Sequence, residues 1–198
     1  MSHPLDDILQ AQKRGEAVGI PSLCSAHPWV LKTALHGDAP VLIEATCNQV
    51  NQFGGYTGMT PTGFARFVRG IANENMFPPE RLLLGGDHLG PSPWQGDPAK
   101  EAMQRAVEMV HAYVHAGFTK IHLDTSMRLG DDEPERPLDL ELIARRTAQL
   151  ARSAEETFAK EPGTLKGLRY VIGTEVPIPG GATTREDGVG VTRVADTQ

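Results

Sequence analysis

The chain has 198 residues, 39% of them hydrophobic and 22% charged, which is ample for one globular core and excludes collagenous, low-complexity and intrinsically disordered classes. Nineteen Lys and Arg against 25 Asp and Glu leave a net charge of −6, the opposite of a nucleic-acid-binding footprint. The apolar runs fall far short of the roughly 20 residues that span a bilayer, and the start lacks the basic and apolar regions of a secretory signal, so the chain reads as cytoplasmic with no membrane partner.

Leu5, Ile8, Leu9 and Ala11 recur at helical spacing over Leu5–Gly15, before a short strand over Gly19–Ser25. Pro28–Leu35 reads as a helix stopped by Gly37, and Val41–Thr46 as a β-branched strand. Pro61–Met76 keeps Phe64, Phe67, Val68 and Ile71 on one helical face, and Arg81–His88 follows as a third strand. Ala99–Ala116 is amphipathic, with Met103, Ala106, Val107, Val110, Tyr113 and Val114 on its apolar side. Lys120–Ser126 alternates, placing His122, Asp124 and Ser126 on one face and Ile121, Leu123 and Thr125 on the other. Leu138–Lys160 is a last helix and Leu168–Val176 a fifth strand. This alternation predicts an α/β fold with a parallel sheet, either doubly wound or an unfinished barrel. No repeat or linker divides residues 1–198, which read as a single domain.

Glu44, Asp87, His88, Asp124 and Glu175 all fall at or near the C-terminal ends of predicted strands, the edge where parallel α/β sheets bind substrates. Helix capping explains one such coincidence more easily than five. Gly85–Gly90, reading Gly-Gly-Asp-His-Leu-Gly, is the sharpest local feature: glycines allow close approach, and adjacent Asp87 and His88 are expected on different sides of a turn. His88 is a candidate metal ligand through neutral imidazole, and Asp87 a candidate proton mover. The fourteen residues Cys47–Thr60 form a long connection whose Asn48, Gln49, Asn51 and Gln52 suit sugar hydroxyls, and whose glycines suggest a substrate lid. His27, just past the first strand, faces either the same site or its own turn. His111 and His115 have a metal-pair spacing but lie on a polar stripe and read as solvated. Cys24 and Cys47 lack metal-finger spacing and read as buried thiols. There is no G-x-x-x-x-G-K-[ST], no dinucleotide G-x-G-x-x-G and no G-x-S-x-G elbow.

The strings Cys24–Pro28, Ile43–Pro61, Gly85–Pro91, Lys120–Asp124 and Val171–Pro177 strongly resemble, in order, the Z-type subunit family of D-tagatose-1,6-bisphosphate aldolase (GatZ/KbaZ type). The resemblance covers nearly the whole chain. It implies a TIM (β/α)₈ barrel of roughly double this length, here strands one to five with the C-terminal part missing. It also implies carbohydrate metabolism, in galactitol, tagatose or N-acetylgalactosamine breakdown. Members of the family act as noncatalytic stabilisers of the catalytic aldolase chain, relatives are assigned as 4-epimerases of tagatose 6-phosphate or related ketose phosphates, and some carry an older kinase label.

A more distant resemblance, of Asp87-His88, Leu123-Asp124 and Glu175 to the zinc-dependent class II aldolases, implies Asp87 as acid/base and His88 as ligand to a divalent metal such as zinc; in an epimerase reading, Asp87 and Glu175 are the candidate proton movers. Glu44, Asn48, Gln49, Asn51, Gln52, His27 and Asp124 are then the expected substrate-binding set. The remaining metal histidines of those aldolases lie on later strands, so the resemblance implies a metal site that this chain alone leaves incomplete. The expected partners are a sugar phosphate, a catalytic aldolase subunit and further copies in an oligomer. Three readings follow: a metal-assisted 4-epimerase, a noncatalytic aldolase subunit, and an inactive truncated remnant.

Overall fold

The structure, a computed structural model, describes residues 3–134, 138–160 and 167–173. Five parallel strands stand in the order β1 (Ser22–Cys24), β2 (Val41–Thr46), β3 (Leu82–Leu89), β4 (Lys120–Leu123) and β5 (Arg169–Ile172). Each strand pairs with the next in sequence, and the order never reverses. A doubly wound sheet needs a reversal at its switch point, so of the two expected architectures this is the wall of a parallel barrel.

Between the strands run α2 (Pro28–Ala34), α3 (Pro61–Glu74), α4 (Ala99–His115) and α5 (Leu140–Phe158), with α1 (Pro4–Lys13) preceding β1. Right-handed crossovers along a sheet of unbroken order put the helices on one face, where α2 packs on α3, α3 on α4 and α4 on α5. The helix starts follow their sequence. Proline leads α1, α2 and α3, where the missing N–H costs nothing, and Thr60 Oγ1 accepts from Gly63 N at 3.3 Å. The first amide of α4, Ala99 N, donates instead to Asp131 Oδ1 at 2.7 Å, from the segment after β4.

The core lies between sheet and helices. Val41, Ile43 and Ala45 of β2, Leu84 of β3, and Ile121 and Leu123 of β4 meet Phe64 and Val68 of α3, Met109 and Val110 of α4, and Leu150 of α5. Phe118 sits between Phe64 and Tyr113, with ring centroids 6.3 and 4.6 Å away. The opposite residues, Ser22, Glu44, Asp87, Lys120 and His122, form the concave face.

Two ion pairs fasten the periphery. Arg169 Nε donates to Asp6 Oδ1 at 2.6 Å, tying β5 to α1. Arg146 of α5 grips Asp132 with two bonds of 2.8 and 2.7 Å, both side chains nearly buried. These bonds hold the Asp132 carboxyl below its ordinary 3.8, against the opposing effect of burial. Because the folded value is the lower one, the pair's contribution is complete above the ordinary value and is lost as pH falls below it. Arg146→Gln should therefore destabilise the protein at neutral pH, and its deficit relative to the parent should shrink in acid, as read by denaturant titration at both pH values.

The Cys47–Thr60 connection differs from the expected lid, because Asn51 and Thr57 are engaged with its own backbone and Gln52 with that of α4. Asn51 donates to Cys47 O at 3.0 Å and accepts from Phe53 N and Gly55 N. Thr57 Oγ1 donates to Gln49 O at 2.7 Å, and Val50 and Met59 form a β-bridge across the base. Gly55 has φ +54°, and a Cβ there would fall 2.5 Å from Gln49 O, so the turn requires glycine. From α4, Gln52 Nε2 is held by Arg105 O at 2.9 Å. The buried Tyr113 hydroxyl lies 2.9 Å from Val50 O and 3.3 Å from the carbonyls of Ala45 and Thr46. The loop is thus a fixed wall at the end of β2. Tyr113→Phe strips the donor from buried carbonyls and should cost roughly 1–3 kcal/mol in denaturant unfolding.

Candidate active site

The site is built on a one-residue irregularity. Gly86 pairs with Ile121 and Leu89 with Leu123, so three steps along β3 match two along β4. The extra residue is absorbed at His88, whose φ is +49°, a left-handed conformation unusual for a side chain with a Cβ. Strict alternation would send Asp87 and His88 to opposite faces, as expected from sequence. The bulge instead turns both onto the concave face, with His88 Nε2 3.6 Å from Asp87 Oδ2.

His122 of β4 joins them. Its Nδ1 lies 2.9 Å from Asp87 Oδ1, and its ring centroid 4.2 Å from that of His88. A ligating atom from each of Asp87, His88 and His122 lies within 4.8 Å of the others. Two imidazoles and a carboxylate are a donor set suited to zinc, so the residues present fit the divalent metal implied by the aldolase resemblance. Alternation along β4 groups His122 with Asp124 and Ser126 on one face, but gives it no chemical role.

Behind this cluster lies a buried charge network. Lys120 Nζ sits 2.6 Å from Glu44 Oε1 and 3.3 Å from Asp87 Oδ1, and Ser22 Oγ donates to Glu44 Oε2 at 2.9 Å. Glu44 and Lys120 side chains are 7% and 10% exposed. A Cβ on Gly85 would meet Glu44 Oε1 at 2.6 Å, so this glycine provides the space in which Glu44 lies. Burial opposes ionisation of Asp87, but the hydrogen bond from His122 and the charges of Lys120, His88 and His122 prevail, and its carboxyl sits at about 2. Lys120 is the member that sequence reading missed. Its even-numbered parity with His122 and Asp124 was the available signal, masked because a lysine at a strand start usually reaches solvent. Lys120→Met would strand two carboxylates and should cost about 3–5 kcal/mol, measured as a shift in denaturant midpoint.

The other expected site residues divide. Asp124, 3% exposed, closes the cluster from the end of β4, with Oδ2 3.5 Å from His88 Nδ1. Asn48 is exposed on the wall of an adjoining cavity of about 450 Å³, which His88, Asp124, Ser92, Ser126 and Arg128 also line. Gln49 accepts from Thr46 N at 2.9 Å, so together with Asn51 and Gln52 it serves the loop's architecture. His27 is exposed, and its Nδ1 accepts from Trp29 N at 3.3 Å as the cap of α2. His111 and His115 stack on the outer, exposed side of α4. Cys47 is buried, its thiol pushed up to about 12 by desolvation, whereas Cys24 is exposed, because the concave face of β1 has no layer over it among the described residues. Glu175 lies outside the described residues.

The family described as "D-tagatose-1,6-bisphosphate aldolase subunit GatZ/KbaZ-like" matches residues 5–198. The chain belongs to this family. It is 55% identical over 196 residues to the D-tagatose-1,6-bisphosphate aldolase subunit GatZ of Salmonella heidelberg strain SL476, and equally to that of Salmonella agona strain SL483. Each match takes in 97% of this chain and 45% of the relative, so this GatZ/KbaZ-like chain spans about half the length of the curated relatives it matches. It also superposes, with a TM-score of 0.70 and 54% identity, on a crystal structure named as a probable tagatose 6 phosphate kinase from Sinorhizobium meliloti 1021, over 80% of this chain and 39% of that one. No helix among the described residues is long and apolar enough to cross a membrane.

Proposed function

We propose that this chain carries the proton-transfer and metal-holding half of a ketose-phosphate 4-epimerase site, acting on tagatose 6-phosphate or a close relative. The observation that carries the reading is the bulge in β3, which brings Asp87 and His88 together with His122 beside a cavity lined in part by Asn48, Ser92, Ser126 and Arg128. His88 and His122 would hold a divalent metal, with Asp87 Oδ2 alongside. When bound, such a metal supplies Lewis-acid polarisation of the ketose C2 carbonyl.

The chain's own residues account for the rest. Inversion at C4 follows if the C4 hydroxyl loses its proton, the C3–C4 bond breaks to leave an aldehyde and a C2–C3 enolate, and the bond re-forms on the aldehyde's other face. The proton then returns to the C4 oxygen, so no oxidant or reductant is required. Asp87 is the base this scheme uses: Oδ1 is occupied by His122 and Lys120, and Oδ2 is the oxygen facing His88 and the metal-holding cluster. Glu175 is the expected second proton mover. Asn48, Ser92 and Ser126 on the cavity wall suit sugar hydroxyls, and Arg128 supplies a cation for the phosphate.

The test is conversion of tagatose 6-phosphate to its C4 epimer, followed by carbon-13 NMR, by these residues set in a zinc-loaded chain of the relatives' full length. Asp87→Asn should abolish turnover with the circular dichroism spectrum unchanged. Arg128→Ala should raise KM about tenfold or more, in keeping with loss of a charge-assisted contact, and leave zinc binding alone. Turnover that survives Asp87→Asn would overturn the role given to that carboxylate.

The name "subunit" borne by the Salmonella relatives favours a second reading, a noncatalytic chain that supports a catalytic aldolase. Stimulation of a class II tagatose-bisphosphate aldolase by a chain with no turnover of its own would select it.

A further inference from the structure

We propose that Asp124 is a positioning residue, whose carboxylate, latched by Ser126, orients the imidazole of His88. The proposal deepens the metal reading given above. Asp124 Oδ1 accepts two bonds from one neighbour, Ser126 N at 2.9 Å and Ser126 Oγ at 2.6 Å. That fixes the carboxylate plane and leaves Oδ2 directed at His88 Nδ1, 3.5 Å away. Both ring nitrogens face a carboxylate, Nδ1 that of Asp124 at 3.5 Å and Nε2 that of Asp87 at 3.6 Å; the Asp124 contact has hydrogen-bond geometry and its acceptor is latched, so Nδ1 is assigned the proton and Nε2, beside Asp87, is left as the nitrogen for a metal.

The backbone keeps Asp124 in place. Asp124 N donates to Leu89 O at 3.0 Å, immediately beyond the bulge. The Asp124 carbonyl passes so close to Gly90 that a Cβ there would fall 1.7 Å from its oxygen. The residue after His88 and the residue after that are therefore both pinned to Asp124, while the left-handed backbone of His88 gives its side chain a direction that a regular strand would not. The neighbouring pair repeats the pattern, since His122 Nδ1 points at Asp87 Oδ1 at 2.9 Å. Both imidazoles thus present Nδ1 to a carboxylate, the arrangement by which buttressed histidines are set for metal binding. At 3.5 Å the His88 contact is at the outer limit of a hydrogen bond, as is common before a ligand draws such groups together. With Oδ1 saturated and 3% of the residue exposed, Asp124 has little left with which to bind substrate directly.

The experiment uses the 198-residue chain and two readouts. In the metal-free protein, in alkaline buffer where the ring is neutral, nitrogen-15 NMR reports the tautomer of His88, its signals assigned by their loss in His88→Gln. The parent should show the Nδ1–H form and Asp124→Asn should shift it towards Nε2–H. Zinc titration by calorimetry should then show affinity about 10- to 100-fold weaker in Asp124→Asn at an unchanged melting temperature. Ser126→Ala keeps the carboxylate but removes one latch, and should move both readouts the same way by less. It also serves if Asp124→Asn fails to fold. A tautomer shift in a chain whose parent binds no zinc would support the positioning role and overturn the reading that Asp87, His88 and His122 hold the metal without residues from beyond this chain. An unchanged His88 tautomer and unchanged zinc affinity in every folded variant would overturn the proposal.

Discussion

The ammonium of Lys120, lodged between the carboxylates of Glu44 and Asp87, is the constraint around which the concave face is arranged. Three charges this far from solvent are tolerable only if kept in contact, because removing any one leaves the others unpaired in a medium that solvates them poorly. The demand propagates outwards. Gly85 has no side chain because Glu44 fills its space, Ser22 reaches across from β1 to complete the second Glu44 oxygen, and His122 shares the Asp87 oxygen that Lys120 approaches. Four strands are thereby linked through side chains as well as through their backbone ladders, and the linkage leaves one Asp87 oxygen on the ligand side.

The bulge in β3 is the second determinant, and it explains how adjacent residues serve one site. An unbroken strand gives each face every second residue, so Asp87 and His88 would share a site only by chance of a turn. Inserting one residue locally converts a sequential pair into a spatial one. The backbone cost at His88 is met by a setting that over-determines it: the Leu89–Asp124 hydrogen bond on one side, the Asp87–His122 contact on the other, and the close passage of Gly90 beneath Asp124.

Much of this was legible in the residues. The β-branched run Val41–Thr46 became β2 without alteration, and the apolar stripe of Ala99–Ala116 became α4 with one residue fewer, since local hydrophobic periodicity is what both elements obey. That His122 shares a face with Asp124 follows from counting alternate residues on β4. The bulge was not legible, because register belongs to the pairing of β3 with β4 and no local pattern in Gly85–Gly90 records it. Nor was the wall formed by residues 47–60: glycines and amides are equally suited to a hinge and to a self-bonded turn, and only the partners of Asn51 and Tyr113 decide between them. Lys120 was hidden by composition, since its position opposite Glu44 is a tertiary fact.

The self-bonded wall has a thermodynamic consequence. A lid that orders over its ligand adds the entropy of that ordering to every binding event and lends association a slow conformational step. Here Asn51, Gln49 and Thr57 have already made their bonds before any ligand arrives, and Asn48 is left exposed on the cavity wall. Association with such a surface resembles docking onto a rigid body: the heat-capacity change should track only the apolar area covered, and discrimination between sugars rests on how well each epimer matches a cavity whose outline is set in advance.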